Sequence, residues 1–200
     1  APFSMDRLDM RPLVLTALLL PLLAGCATAP QKSEAAGLRP TEILETKWGC
    51  EDCSPEETKV VAYLQTPSVN ITDKNAIATI LGNIKQESKF IANICEGGAR
   101  VTYENCLTGG YGIIQWTSVN RYVNLGKFAT KFECDPSTFD CQLRYMVNEN
   151  IFQRQLPYFQ SNGMSIAYYM QPSYRWLGWG IKGAREDYAW NYLNKLRLDA

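Results

Sequence analysis

The 200-residue chain is 46% hydrophobic and 12% aromatic, enough to bury one sizeable core, and its length fits one domain plus extensions. Twenty Lys and Arg balance twenty Asp and Glu, so neither a basic surplus toward nucleic acid nor an acidic solvating tail is present. The chain has no histidine, which removes every mechanism that needs an imidazole as metal ligand or base.

The N-terminal stretch reads as a targeting segment. Arg7 and Arg11 precede an apolar run from Leu13 to Leu23 that Thr16 and Pro21 alone interrupt. A bilayer-spanning helix needs about 20 apolar residues, so the run suits a signal h-region better than an anchor. It ends in Leu23-Ala24-Gly25-Cys26, which resembles the lipobox of bacterial lipoproteins. That resemblance implies cleavage after residue 25 and a lipid on Cys26, against the plainer reading of a secretory signal that happens to contain a cysteine. Residues 1–25 are therefore set apart as signal, and 26–53, which mix Ala, Pro and charge without periodicity, as a tether.

Setting Cys26 aside leaves six cysteines, an even number that fits an exported disulfide framework. Sequence proximity favours Cys95 with Cys106, Cys134 with Cys141, and Cys50 with Cys53, each contributing about 2 to 3 kcal/mol by constraining the unfolded chain. The Cys50-Glu51-Asp52-Cys53 spacing also fits a metal knuckle, but no second such pair and no histidine completes a set, so neither metal nor cofactor is expected.

The folded domain is expected over 54–200. Ser54-Pro55-Glu56-Glu57 offers an N-cap, Pro at N1 and early acids, ahead of Val60, Val61 and Leu64. A second helix starts at Thr72, with Ile77, Ile80, Leu81 and Ile84 at helical spacing. Glu96 to Gly112 is Gly-rich and irregular, a loop or small hairpin. Helical patterns follow from about Ile113 to Phe132, after Asp140 through Leu143, Met146, Val147 and Ile151, and from Ala184 through Tyr188, Tyr192 and Leu196. The fold class is mainly α with one irregular excursion after the second helix.

Glu87 continues the buried stripe of the second helix, where desolvation raises a carboxyl pKa as a general acid requires. On periodicity alone the stronger reading is a structural glutamate near a helix end. The residues around it change that weighting. Gly82-Asn83, Glu87-Ser88 with Phe90, Gly110-Tyr111-Gly112, Gln115-Trp116-Thr117 and Arg121 together resemble the phage tail lysozyme family, and the same skeleton is similar to goose-type lysozymes and lytic transglycosylases. The likeness is strongest over residues 75–143.

The resemblance implies a lysozyme-like helical domain that acts on peptidoglycan with Glu87 as the acid. Gln115, Tyr111, Trp116 and Ser88 form the implied substrate-binding set. Gln115 can hydrogen-bond sugar substituents, while Tyr111 and Trp116 suit either a sugar platform or core packing. Ser88 reads as orienting Glu87 or capping its helix, and Arg121 as structural. Glu96 ranks ahead of Glu104, Asp135, Asp140 and Glu149 as a second carboxylate, because the Cys95 disulfide would hold it. The aromatic run from Tyr168 to Gly180 suits core and cleft-edge packing, with Trp176 or Trp179 the candidates for sugar contact.

Without histidine, zinc amidases and Cys-His or Ser-His-Asp hydrolases drop out, leaving carboxylate glycosidase chemistry among wall-cutting mechanisms. The expectation is an exported muramidase, monomeric, tethered to a membrane through Cys26 or phage-associated, with peptidoglycan strands and no nucleic acid as partners. The alternatives are a lytic transglycosylase giving 1,6-anhydro products, a non-catalytic wall-binding lipoprotein, and a thiol redox protein built on Cys50 and Cys53.

Overall fold

The computed structural model describes residues 48–107 and 109–199, so the signal segment, Cys26 and most of the tether lie outside the described residues. Among the described residues, seven α-helices and one two-stranded sheet make up a mainly α unit, the class expected from the sequence. The chain enters through β1 (Trp48–Cys50) and leaves through β2 (Leu196–Leu198), which pair antiparallel with Trp48 opposite Leu198 and Cys50 opposite Leu196. The folded unit thus begins ahead of Ser54, because Trp48 is already bonded into it: its amide donates to Gln65 Oε1 (2.8 Å) and its indole to Thr72 O (3.0 Å).

Helix α1 (Pro55–Leu64) starts where its cap predicts. Ser54 Oγ accepts from the Glu57 amide while Glu57 accepts from the Ser54 amide, a capping box. Helix α2 (Lys74–Ser88) starts two residues later than Thr72, because the Asp73 carboxylate caps it through the amides of Asn75 and Ala76. Every residue of α2 from Ala76 to Ile84 is buried. The helix is therefore the central rod of the domain, not a one-sided amphipathic element.

Helix α7 (Arg185–Lys195) lies along that rod, and Gly82 sets the distance: a Cβ there would sit 2.5 Å from the Ala189 amide nitrogen and 2.6 Å from the Arg185 carbonyl. The two helices also meet at Glu57, which takes the Tyr192 hydroxyl and an ion pair from Lys85 at 3.4 Å. Burial would raise the Glu57 pKa, but these partners together with the Ser54 amide hold it below the ordinary value.

Three elements depart from the sequence reading. The helix expected from Ile113 begins only at Val119 (α3, Val119–Lys131, capped by Ser118), because Tyr111 and Trp116 pair across a tight turn with Gly112 and Gln115 both at positive φ. The single helix expected through Ile151 breaks at Glu149, which is extended, into α4 (Phe139–Asn148) and α5 (Asn150–Phe159). The aromatic run from Tyr168 lies mostly in a helix, α6 (Ile166–Leu177), whose interior proline, Pro172, masks the helical signal. α7 starts next to the expected Ala184, but Leu196 has already left it for β2.

All three expected disulfides are present: Cys50–Cys53, Cys95–Cys106 and Cys134–Cys141. The expected excursion after α2 is irregular apart from a short 3-10 turn at Tyr103–Asn105 and isolated bridges of Ile94 to Arg100 and Cys95 to Tyr111. It is held to α3 by Tyr103, whose ring stacks on Tyr122 (centroids 4.3 Å apart) and whose hydroxyl donates to Tyr122 O at 2.8 Å.

Candidate active site

Glu87 occupies the last turn of α2, with its side chain 16% exposed. After Ser88 the backbone turns sharply, with Lys89 and Phe90 both left-handed, so the helix ends within two residues of the carboxylate. A non-glycine residue at positive φ costs about 1 kcal/mol or more, and such strain gathers at working sites. Gln115, in the facing turn, shares this conformation, so three of the six non-glycine positive-φ positions among the described residues lie here.

Arg185, the first residue of α7, supplies the partner of Glu87. Its Nη2 lies 2.6 Å from Glu87 Oε1, and its side chain is 5% exposed. Nη1 reaches Asn83 O and Oδ1 at 3.5 Å, and the guanidinium lies 4.5 Å from the centre of the Trp179 ring. Gln86 Oε1 accepts the Ala184 amide at 2.9 Å, fixing the start of α7 beside it. Asn83, Gln86 and Glu87 therefore share one task along a single face of α2: they seat the segment that carries Arg185. Burial pushes the Glu87 carboxyl above the ordinary carboxylate value, while the adjoining Arg185 and the more distant Arg121 pull it down without cancelling the rise.

Ser88 points the other way. It is 3% exposed, and its hydroxyl donates to Ile113 O at 2.7 Å, tying the end of α2 to the Gly110–Gln115 turn. The two halves of the sequence pattern are thus joined by this bond, and the hydroxyl faces the turn, not Glu87. From the opposite side Gln142 on α4, fully buried, accepts the Ile113 amide at 2.9 Å and donates to Ala92 O and Pro136 O. A Cβ on Gly112 (φ 79°) would meet the Gln142 amide at 2.4 Å, so glycine is required there.

Tyr111 and Trp116 are 0% exposed and offer no ring face to a ligand, which corrects the sugar-platform reading in favour of core packing. The Tyr111 hydroxyl donates to Val101 O, and the Trp116 indole to Glu149 Oε2 at 3.2 Å, so their polar ends are bonded inside the protein. Half-buried Gln115 donates its amide to Gly112 O (3.0 Å) and Ile94 O (3.3 Å), closing its own turn. Trp176 is also fully buried, whereas Trp179 is partly exposed under Arg185.

Among the other carboxylates, Glu149 is 8% exposed and held by Arg121 through two bonds, Nε to Oε1 at 2.6 Å and Nη2 to Oε2 at 2.7 Å. Arg121 is structural in that sense. Asp140 pairs with Lys59 at the surface, and Asp135 accepts the Ser137 amide. Glu96 is exposed beside the Cys95–Cys106 disulfide, and its Oε2 accepts the Gly110 amide at 3.1 Å. Among the described residues no group of three or more His, Cys, Asp or Glu could hold a metal ion.

A family model described as phage tail lysozyme matches residues 68–196, taking in α2, the excursion and every helix after it. The chain belongs to the phage tail lysozyme family. No curated protein and no solved structure gives a significant match. Membership in the phage tail lysozymes implies a lysozyme-like, peptidoglycan-degrading role and an enzyme of the glycosidase type. Arg185 and Gln142 are the residues that reading by pattern missed; Glu149 figures in it only as a second carboxylate, without its pairing to Arg121. Only the Gly82-Asn83 pair, which has no catalytic chemistry of its own, hinted that a second helix must lie close to α2.

Proposed function

We propose that this phage tail lysozyme is a muramidase that cleaves the β-1,4 bond between N-acetylmuramic acid and N-acetylglucosamine, with Glu87 as general acid. The observation that carries the reading is the Glu87 environment: a largely buried carboxyl with raised pKa at the end of a rigid helix, held in one orientation by Arg185. Such a group holds its proton to higher pH than an exposed carboxyl does and can deliver it to the glycosidic oxygen as the C–O bond breaks. Positive charge then develops at C1, and water completes the hydrolysis. Glu96 is the carboxylate assigned to that second half, since its Gly110 bond and the neighbouring disulfide hold it in place. Arg185 acts through Glu87 as a positioning residue, and Ser88 and Gln115 hold the facing turn.

We place the enzyme outside the cytoplasm, tethered by a lipid on Cys26. Three disulfides within one domain support an oxidising compartment, and the Leu23-Ala24-Gly25-Cys26 sequence supports the lipid. Digestion of purified peptidoglycan followed by mass spectrometry of the products tests the reaction. Reducing muramic acid ends are expected; 1,6-anhydro ends would make the enzyme a transglycosylase, and no release at all would leave a wall-binding protein. The Glu96→Gln variant should lower kcat by about 10- to 100-fold, less than loss of the acid.

A further inference from the structure

A second site lies between α3 and the junction of α4 with α5. It is an open groove of about 670 Å3 whose walls carry Arg121, Lys127, Lys131 and Arg154. The one carboxylate in its lining, Glu149, is already engaged by Arg121. Lys127, Lys131 and Arg154 are exposed and have no carboxylate partner among the described residues. In a chain whose charges balance overall, this local excess of cations is a specific feature of the groove.

Half-buried Phe128 and Phe132 also line the groove, with ring centres 4.5 Å apart. Lys131 lies 5.1 Å from the centre of the Phe132 ring, and Arg144 covers both rings from within 6 Å. Asn124, Asn148 and Asn150 add side-chain amides to the lining. Cations spread over two helices, amides between them and an aromatic floor fit a short peptide that bears separated carboxylates and small apolar side chains. A polyphosphate would use the cations and accept from the amides but would leave the rings without a partner. Arg121 links the groove to the proposed acid, since its charge lowers the Glu87 pKa from a distance.

We propose that this groove binds the carboxylate-bearing stem peptide carried by the muramic acid residues of the strand being cleaved. Naming a stem peptide rests on the peptidoglycan reading above. The groove would then select substrate that still carries its peptides and hold it in register with Glu87.

The test uses the full chain and the triple variant Lys127→Gln, Lys131→Gln, Arg154→Gln, whose exposed side chains can change without disturbing the core. Isothermal titration with a synthetic stem tetrapeptide should show binding that weakens at least fivefold in the variant, weakens when the peptide carboxylates are amidated, and falls with salt. The variant should lose activity on stem-bearing peptidoglycan, while activity on glycan stripped of its peptides by an amidase stays at the wild-type level. Equal binding by variant and wild type, equal binding of the amidated peptide, or binding of poly(glycerol phosphate) alone would each overturn the proposal. So would an equal loss of activity on both substrates. Titration does not depend on cleavage: if neither substrate is cut but the tetrapeptide binds through these cations, the muramidase reading fails and the groove stands.

Discussion

Arg185 Nη2 lies 2.6 Å from Glu87 Oε1, with both side chains largely withdrawn from water, so one buried ion pair joins the last turn of α2 to the first residue of α7. The pair holds the carboxylate still and at the same time opposes its protonation. Burial wins, and the Glu87 pKa is raised. A general acid is active while protonated, so kcat/KM should fall as pH rises through that raised value. Arg185→Gln removes the largest influence that lowers the pKa, which moves this alkaline limb to higher pH. It also frees the carboxylate from its anchor and lowers kcat by about 10- to 100-fold. Arg185→Lys keeps the charge and should keep the limb near its wild-type position; a limb that stays put in both variants would separate Arg185 from the acid. Stability follows the same sign: what protonated Glu87 contributes is full below the ordinary carboxylate pKa and is lost as pH rises through the raised one.

Ser88→Ala should act on the facing turn. It leaves the buried Ile113 carbonyl without its 2.7 Å donor, at a cost of about 1 to 3 kcal/mol in urea denaturation. Activity should fall more than stability alone explains, because the Gly110–Gln115 turn loses its tie to the helix that carries Glu87. An unchanged midpoint in urea would show that the bond contributes nothing.

Gly82→Ala sets two effects against each other. Alanine is the better helix former by about 1 kcal/mol, but its Cβ would meet the backbone of α7 at 2.5 Å. Backbone cannot swing aside as a side-chain tip can, so overpacking wins and the variant should lose about 1 to 3 kcal/mol net. Thermal unfolding measures this, and a raised Tm would mean that the helices are free to separate.

Glu149→Gln should be among the most damaging changes outside the site. It removes the anion from a nearly buried, doubly bonded pair and leaves the Arg121 guanidinium uncompensated, which costs about 3 kcal/mol. Urea denaturation again reads the loss, and a cost below about 1 kcal/mol would place Arg121 effectively in solvent.

What was legible in the sequence was local. Ser54 with Glu57, the three short-range cysteine pairs and the apolar stripe leading to Glu87 are all patterns within about a dozen residues, where caps, loop closure and periodicity act. The rest depended on contacts that chain distance hides. Arg185 meets Glu87 only because Gly82 lets α7 approach, and neither residue type announces the other. An aromatic ring in a motif can be platform or core, and the tight packing around Tyr111 and Trp116 decided for core. Gln115 carries no residue-type signal for positive φ, so a helix pattern ran through a turn. Pro172 hid α6 for the opposite reason, as a residue that normally ends helices but lies inside this one.

The most direct test of the central claim is muropeptide release by Glu87→Gln against wild type at the optimum pH. Glutamine keeps the size of the side chain and can still accept from Arg185, but it has no proton to give. Reducing ends released should fall by about 100- to 10,000-fold, with the helical circular dichroism spectrum unchanged. Release by the folded variant at the wild-type rate would contradict the claim.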